Sequence, residues 1–231
     1  MPDSLVLAVA QPPCVPLDLG ANAVAHAVLI RAAAARVVVF PELSLTGYEL
    51  GAPLVEPDDP RLAPLVSVCA MTGTTALVGA PVAGPHIAML AIDESGVRVV
   101  YRKTNPGAAE AGRFRAGPCP AVLEVDGWRL GLAICRDTGI ADHAEQTAAL
   151  GIDAYVAGSV DHAHEDVVQQ ERAERITADH RVWVGFASFA GATGSGYADT
   201  AGRSGIWSPD GRLVDRAGRE AGGFARATLT R

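Results

Sequence analysis

The stretch Gly131-Leu132-Ala133-Ile134-Cys135-Arg136-Asp137-Thr138-Gly139 constrains the fold more than any other part of the chain. An apolar run rich in strand formers delivers a cysteine to its end, and a charged pair and a glycine follow at once. An open α/β sheet presents reactive side chains in this way, because ligands sit beyond the carboxyl ends of its parallel strands. A second run, Val37-Val38-Val39-Phe40, is wholly apolar, as a parallel strand covered on both faces must be, and it stops at Pro41-Glu42. Taken alone, Cys135 also fits the ordinary role of cysteine as a small core hydrophobe.

The rest of the chain alternates in the same style. Strands are expected over 5–10, 37–40, 76–81, 87–93 and 97–103, with helices over 21–36 and 60–71. Asn22 is the expected cap of the first helix. Residues 104–120 are irregular. Strands 122–125 and 128–135 flank Asp126-Gly127, a hairpin signal. A helix over 140–150 ends at Gly151, a buried strand covers 153–157, and a charged helix over 165–180 leads into a strand over 182–189. After a loop of five glycines over 191–205, strands 206–208 and 213–214 flank Pro209-Asp210-Gly211, and a strand over 224–229 closes the chain. Helices and buried strands alternate early, with hairpins in the middle and at the end. That order predicts α/β layers around a mixed sheet or a pair of sheets, in one domain over 1–231.

Composition narrows the function classes. Hydrophobic residues make up 49% of the 231 and charged ones 19%, the balance of a globular protein with a large interior. The net charge is −7 and no basic tract stands out, which argues against a nucleic-acid partner. No apolar stretch approaches the roughly 20 residues of a membrane span, and the apolar start lacks a basic leader. The four cysteines (Cys14, Cys69, Cys119, Cys135) show no CxxC spacing, so free thiols in a reducing cytosol are expected. Cys14, Cys69 and Cys119 read as structural.

Three reactive groups stand where apolar strands give way to loops: Glu42 after VVVFP, Lys103 after RVVYR and Cys135 after LGLAI. Each is unremarkable singly, since Glu42 can be solvated on a loop and Lys103 can end an exposed hairpin. Brought together they make a thiol hydrolase. Only a few per cent of a free thiol is ionised at neutral pH, so a base must activate it. A partly buried carboxylate takes that proton and returns it to the leaving amine. An ammonium and the backbone N–H after the nucleophile hold the oxyanion.

The pieces VVVFPELSLTGY, YRKTNPGAAEAGRF and LGLAICRD, in that order, resemble the nitrilase superfamily of carbon–nitrogen hydrolases. The resemblance runs from LVLAVAQ through GRSGIWSPDG to the terminal ARATLT. It implies a four-layer α-β-β-α sandwich, a homodimer, and a Glu–Lys–Cys triad at Glu42, Lys103 and Cys135. It implies that Glu110, followed by Phe114 and Gly117, orients the lysine and touches substrate. The activity implied is hydrolysis of a small amide or N-carbamoyl compound through a cysteine thioester, with no metal or organic cofactor. Tyr48 and Phe114 are expected to line the pocket, and Arg113 or Arg136 to bind a substrate carboxylate. The sequence departs from the family where Arg136 replaces a tyrosine, Ile140-Ala141-Asp142 replaces Phe-Pro-Glu and Asn105-Pro106 replaces His-Leu.

Other constellations point elsewhere. His162 and His164 sit in Asp161-His162-Ala163-His164-Glu165-Asp166, which has part of a zinc hydrolase motif, but Val167 stands where its last histidine would be. The plainer reading is a helix start capped by His162 or Asp161. Gly191 to Gly196 has the glycines of a phosphate loop in the wrong order, with no helix after them, and reads as a mobile loop over the pocket. A papain-like pairing of Cys135 with His143, His162, His164 or His180, and a silent binding module of the same fold, complete the alternatives.

Overall fold

A computed structural model describes residues 3–231. The first sheet takes the order β12-β1-β2-β3-β4-β5, from β1 (Ser4–Gln11), β2 (Val37–Val39), β3 (Thr75–Val82), β4 (His86–Asp93), β5 (Gly96–Arg102) and β12 (Gly223–Thr230). The second takes the order β11-β10-β9-β8-β7-β6. Its strands are β6 (Ala121–Val125), β7 (Trp128–Ile134), β8 (Ala154–Ser159), β9 (Trp183–Ser188), β10 (Gly205–Trp207) and β11 (Leu213–Arg216). Each sheet has a parallel centre, β1-β2-β3 in one and β7-β8-β9 in the other, with antiparallel strands outside it.

Period-two alternation explains the layering. Leu7, Val9, Val37, Val39 and Leu77 point inward and meet Leu130, Leu132, Val156 and Ile206 of the second sheet. Their neighbours Ala8, Ala10, Val38 and Phe40 point outward and pack under α1 (Leu19–Ala33) and α2 (Ala63–Thr72). On the far side Ala133, Tyr155, Ala157 and Val184 are covered by Ala144 of α3 (Ala141–Ala148) and by Ala173 and Ile176 of α4 (Asp166–His180). Both faces of both sheets are therefore buried, which is why the central strands carry unbroken apolar runs. This is the expected α-β-β-α sandwich. Among the described residues no helix is long and apolar enough to cross a membrane.

The differences from expectation lie at element ends. The first helix starts at Leu19, and its cap is Asp18, whose carboxylate accepts the N–H of Ala21. Asn22 is not the cap. It is buried inside the helix, where its amide bonds Val15 and donates to the carbonyl of Leu45 at 3.0 Å. The second helix opens with a 3-10 turn at Pro60–Leu62. Before α4, His162 is the N-cap of a 3-10 turn (Ala163–Glu165), as expected, and Glu165 reaches back to accept its N–H at 2.9 Å. Cys119 is exposed, so it has no packing role, whereas Cys69 is buried on α2 as expected.

Candidate active site

Glu42 lies two residues beyond Phe40, at the end of the central strand β2. Two glycines let other strands close on it. A β-carbon on Gly79 of β3 would lie 2.4 Å from the carbonyl oxygen of Pro41. One on Gly158 of β8 would lie 2.4 Å from the carbonyl oxygen of Phe40 and 3.0 Å from the Glu42 nitrogen. The turn beyond is pinned by His26 of α1, whose Nε2 lies 2.9 Å from Ser44 Oγ. Burial keeps His26 neutral by lowering its pKa to about 4.

Lys103 follows β5. Its N–H donates to Ile87 and its carbonyl accepts from Gly117, so the backbone is held on both sides. The ammonium is 1% exposed and is enclosed by carboxylates. It donates to Glu42 Oε1 at 2.6 Å and to Glu110 Oε1 and Oε2 at 2.9 and 2.7 Å. Burial alone would lower its pKa, but the charges of Glu42, Cys135 and Glu110 outweigh that and raise it. Glu110 is fixed by the Gly107 N–H at 2.6 Å and the Tyr48 hydroxyl at 2.7 Å. Burial pushes its carboxyl up, yet Lys103 and these donors hold it below its ordinary value.

Cys135 ends β7 and begins a 3-10 turn (Cys135–Gly139) with φ of 44°, a backbone region that non-glycine residues rarely occupy. The residue as a whole is partly exposed. Its thiol donates to the carbonyl of Val160 at 3.5 Å. Burial, with the charges of Glu42 and Asp161, pushes the thiol pKa well up despite Lys103. Glu42 Oε2 has no partner at normal hydrogen-bond geometry, an unusual state for a buried carboxyl oxygen. Burial pushes the Glu42 carboxyl up to about 8, against the pull of Lys103.

The turn is tied to the lysine loop through Asp137, which is fully buried. Its Oδ2 accepts the Ile134 N–H at 3.0 Å and the Tyr101 hydroxyl at 2.7 Å. Its Oδ1 accepts Thr104 Oγ1 at 3.1 Å and both Asn105 nitrogens at 2.9 Å. Tyr101 in turn meets His143 Nε2 at 2.9 Å. Arg172 and Arg175 of α4 brace the turn from outside by donating to the side chain and carbonyl of Thr138.

The structure brings Glu42, Lys103, Glu110, Cys135 and Tyr48 into one cluster. Phe114 is buried in the core between the sheets, with Arg113 stacked over it at 5.1 Å. Arg113 is not available for a substrate carboxylate, because its guanidinium donates to the carbonyls of Leu50 and Ala52 and straps that loop down. Arg136 is exposed, and only its backbone N–H adjoins Cys135. The glycine-rich segment lies over the cluster: Gly194 donates to Gly47, Ser195 bonds Glu49, and the Tyr197 ring meets Tyr48 edge-on at 5.0 Å. His162 and His164 stack at 5.4 Å, and the described residues include no group of three or more ligands able to hold a metal ion.

Sequence reasoning missed the work of Asp137, Tyr197 and the two glycines. Tyr197 carried one signal, as the only aromatic residue in a glycine-rich loop.

Comparison with known proteins agrees with this architecture. A curated relative, the "hydrolase in pqqF 5′ region" of Pseudomonas protegens, is 29% identical over 225 residues, covering 92% of this chain and 78% of its own. The NitN amidase of Nesterenkonia sp. AN1 superposes with a TM-score of 0.87 at 22% identity, over 97% of this chain and 92% of the amidase. Saccharomyces cerevisiae Nit3, a member of branch 10 of the nitrilase superfamily, superposes with a TM-score of 0.84 at 20% identity, over 99% and 90%. At such identities the superpositions speak for the fold alone. The sequence profile of the carbon-nitrogen hydrolases matches residues 6–231, and the chain belongs to that family.

Proposed function

We propose that this carbon-nitrogen hydrolase cleaves the C–N bond of small amides through a thioester on Cys135. The observation that carries the reading is the buried ion-pair chain from Glu42 to Lys103 to Glu110, with the Cys135 thiol near enough for the charges of Glu42 and Lys103 to shift its pKa. The thiol stays protonated at neutral pH, so attack on the amide carbon is coupled to transfer of its proton to Glu42 Oε2, the oxygen left without a partner. A base whose pKa lies near the working pH suits such a shuttle. Glu42 returns the proton to the departing nitrogen, and ammonia or an amine leaves. It then takes a proton from water, which attacks the thioester, releases the carboxylic acid and restores the thiol.

The oxyanion needs donors. Lys103 is one, provided that one of its two contacts with Glu110 yields as substrate enters. The second is the N–H of Arg136, in the first turn of a 3-10 helix whose leading amides lack intrahelical acceptors. Each such donor contributes about 3 kcal/mol to the transition state. Tyr48 and Glu110 keep the ammonium aimed.

Solved forms of the Nesterenkonia amidase support the chemistry by analogy. One glutamate mutant of that enzyme carries acrylamide added to its active-site cysteine, and a cysteine mutant holds butyramide. The test here is ammonia release from butyramide together with mass spectrometry of the protein. Wild type should release ammonia and show an acyl adduct on Cys135. If Cys135→Ala hydrolyses as well as wild type, the nucleophile is another residue. Family resemblance also points to a homodimer, and a clean monomer in sedimentation velocity would refute it.

A further inference from the structure

Two backbone segments flank the Cys135 thiol. One is its own 3-10 turn, and the other is Val160 and Asp161 beyond β8, where the Val160 carbonyl takes the S–H at 3.5 Å. Arg172 of α4 reaches both. Its Nη1 donates to Thr138 Oγ1 at 3.2 Å, and that hydroxyl donates in turn to the Cys135 carbonyl at 2.6 Å. A hydroxyl has a single proton, and an arginine donor on one side turns that proton toward the carbonyl on the other. The same Nη1 stands 3.8 Å from Asp161 Oδ1, on a buried carboxylate that Ser159 Oγ also meets at 3.2 Å. Asp161 shares its peptide bond with the Val160 carbonyl. One guanidinium therefore ties the carbonyl of the nucleophile to the segment that accepts its thiol. Arg175, three residues further along α4 and so on the same face, takes the Thr138 carbonyl.

We propose that Arg172 is a positioning residue for the nucleophile, setting from α4 where the Cys135 sulfur stands. The proposal rests on the thioester reading above and names the residue that supports its attacking atom from outside the site. Cys135 is held at a φ of 44°, a conformation that costs about 1–3 kcal/mol and lasts only where its surroundings over-determine it. Asp137 supplies that constraint from inside the turn, and Arg172 supplies it from the helix behind. A charged donor makes the stronger kind of hydrogen bond, which suits it to the task. Arg172 also offsets the charge of Asp161, which together with Glu42 opposes formation of the thiolate. Its side chain is 26% exposed and lines a surface cavity with Gly139, Val168, Glu171 and Arg175, so the link can be cut and replaced from solvent.

Arg172→Ala cuts the link and enlarges the cavity. With the purified full chain, kcat for ammonia release from butyramide and the rate of Cys135 alkylation by iodoacetamide should each fall by at least about 10-fold, with KM within about threefold of wild type. Ethylguanidinium, added well below denaturing concentration, fits the vacated space and should raise both rates of this variant by at least about fivefold, while sodium chloride of equal ionic strength should not. A merely structural arginine would show no such rescue. Thr138→Val leaves the pair with Asp161 in place but breaks the bridge to Cys135, so it should slow alkylation in a way that ethylguanidinium does not restore. Rates of Arg172→Ala within about threefold of wild type overturn the proposal, and so does a loss that ethylguanidinium leaves unchanged. If Arg172→Ala does not fold, Thr138→Val decides, and its alkylation at the wild-type rate overturns the proposal. If wild type turns over no butyramide, the thioester reading fails separately and the alkylation rates alone test Arg172.

Discussion

Asp137 is the residue on which the geometry of the site depends most, and Asp137→Asn tests this. The side chain gives two acceptor oxygens to five donors and is wholly buried. Asparagine keeps one oxygen and puts an amide nitrogen in place of the other. In its better orientation the oxygen stays with Thr104 and Asn105, and the nitrogen faces the Ile134 N–H and the Tyr101 hydroxyl. Two donors then lose their acceptor, at about 1–3 kcal/mol each, for a total of about 2–6 kcal/mol. Tyr101 relieves part of this by turning its proton away, but the Ile134 amide has no such freedom. That amide precedes Cys135, whose φ of 44° needs support from its surroundings. A displacement of the sulfur by about 1 Å costs about 100-fold in rate. Urea unfolding and kcat for ammonia release should therefore fall together. If Asp137→Asn keeps its stability within about 1 kcal/mol and its kcat within about threefold, the carboxylate is not what holds the nucleophile.

The remaining predictions concern the base, its glycine neighbours and the free thiols. In the proposed mechanism Glu42 must be ionised to accept the thiol proton, so kcat/KM should fall as the pH drops below about 8, and Glu42→Gln should lose both the activity and this limb. The folded carboxyl keeps a proton that the unfolded chain releases near 4.5, so the stability from Glu42 is full below that pH and is lost as the pH rises to about 8. Glu42→Gln should flatten that decline, whose slope reaches about 1.4 kcal/mol per pH unit, and an unchanged slope in urea titrations would place the proton elsewhere. Gly158→Ala should destabilise by about 1–3 kcal/mol or more and depress kcat, because its methyl group meets backbone flanking Glu42; unchanged kcat would show that the strand shifts freely. Exposed Cys119 should be alkylated by iodoacetamide, and Cys119→Ser should leave hydrolysis unchanged, as peptide mapping and the ammonia assay would show.

Much of this was legible in the sequence because burial writes itself as unbroken apolar runs. VVVF and LGLAI disclosed central strands, and the charged or reactive residue ending each run disclosed where chemistry could lie. Pairwise wiring was not legible. Nothing in the text of the chain says that Arg113 spends its guanidinium on Leu50 and Ala52, since backbone acceptors have no sequence signature. The same blindness hid Asn22, which looks like a cap but sits within α1 and bonds the loop beyond Glu42. Gly79 lies inside an expected strand and Gly158 just beyond one, and neither signals that β2 ends against it. Local rules find the elements, and contacts between distant residues must be seen.

The division of labour between the two glutamates follows from those contacts. Glu42, Glu110 and Lys103 place two acids and one base in a dry site, so both carboxylates cannot be stabilised equally. Glu110 receives an amide, a hydroxyl and the ammonium, and is held in its charged form. Glu42 receives the ammonium on one oxygen while the other has no partner at normal geometry, so burial raises its pKa. Environments that push the pKa values of paired groups apart assign the acid–base role to one of them. In the proposed mechanism that role falls to Glu42, with Glu110 as the fixed counter-charge beside Lys103. Exchanging the roles would require moving the Gly107 amide and the Tyr48 hydroxyl from one carboxyl to the other. Tyr48→Phe removes half of that asymmetry. It should therefore raise the pKa of Glu110 and lower kcat, whereas a purely apolar role for the ring would leave the pH profile where it was.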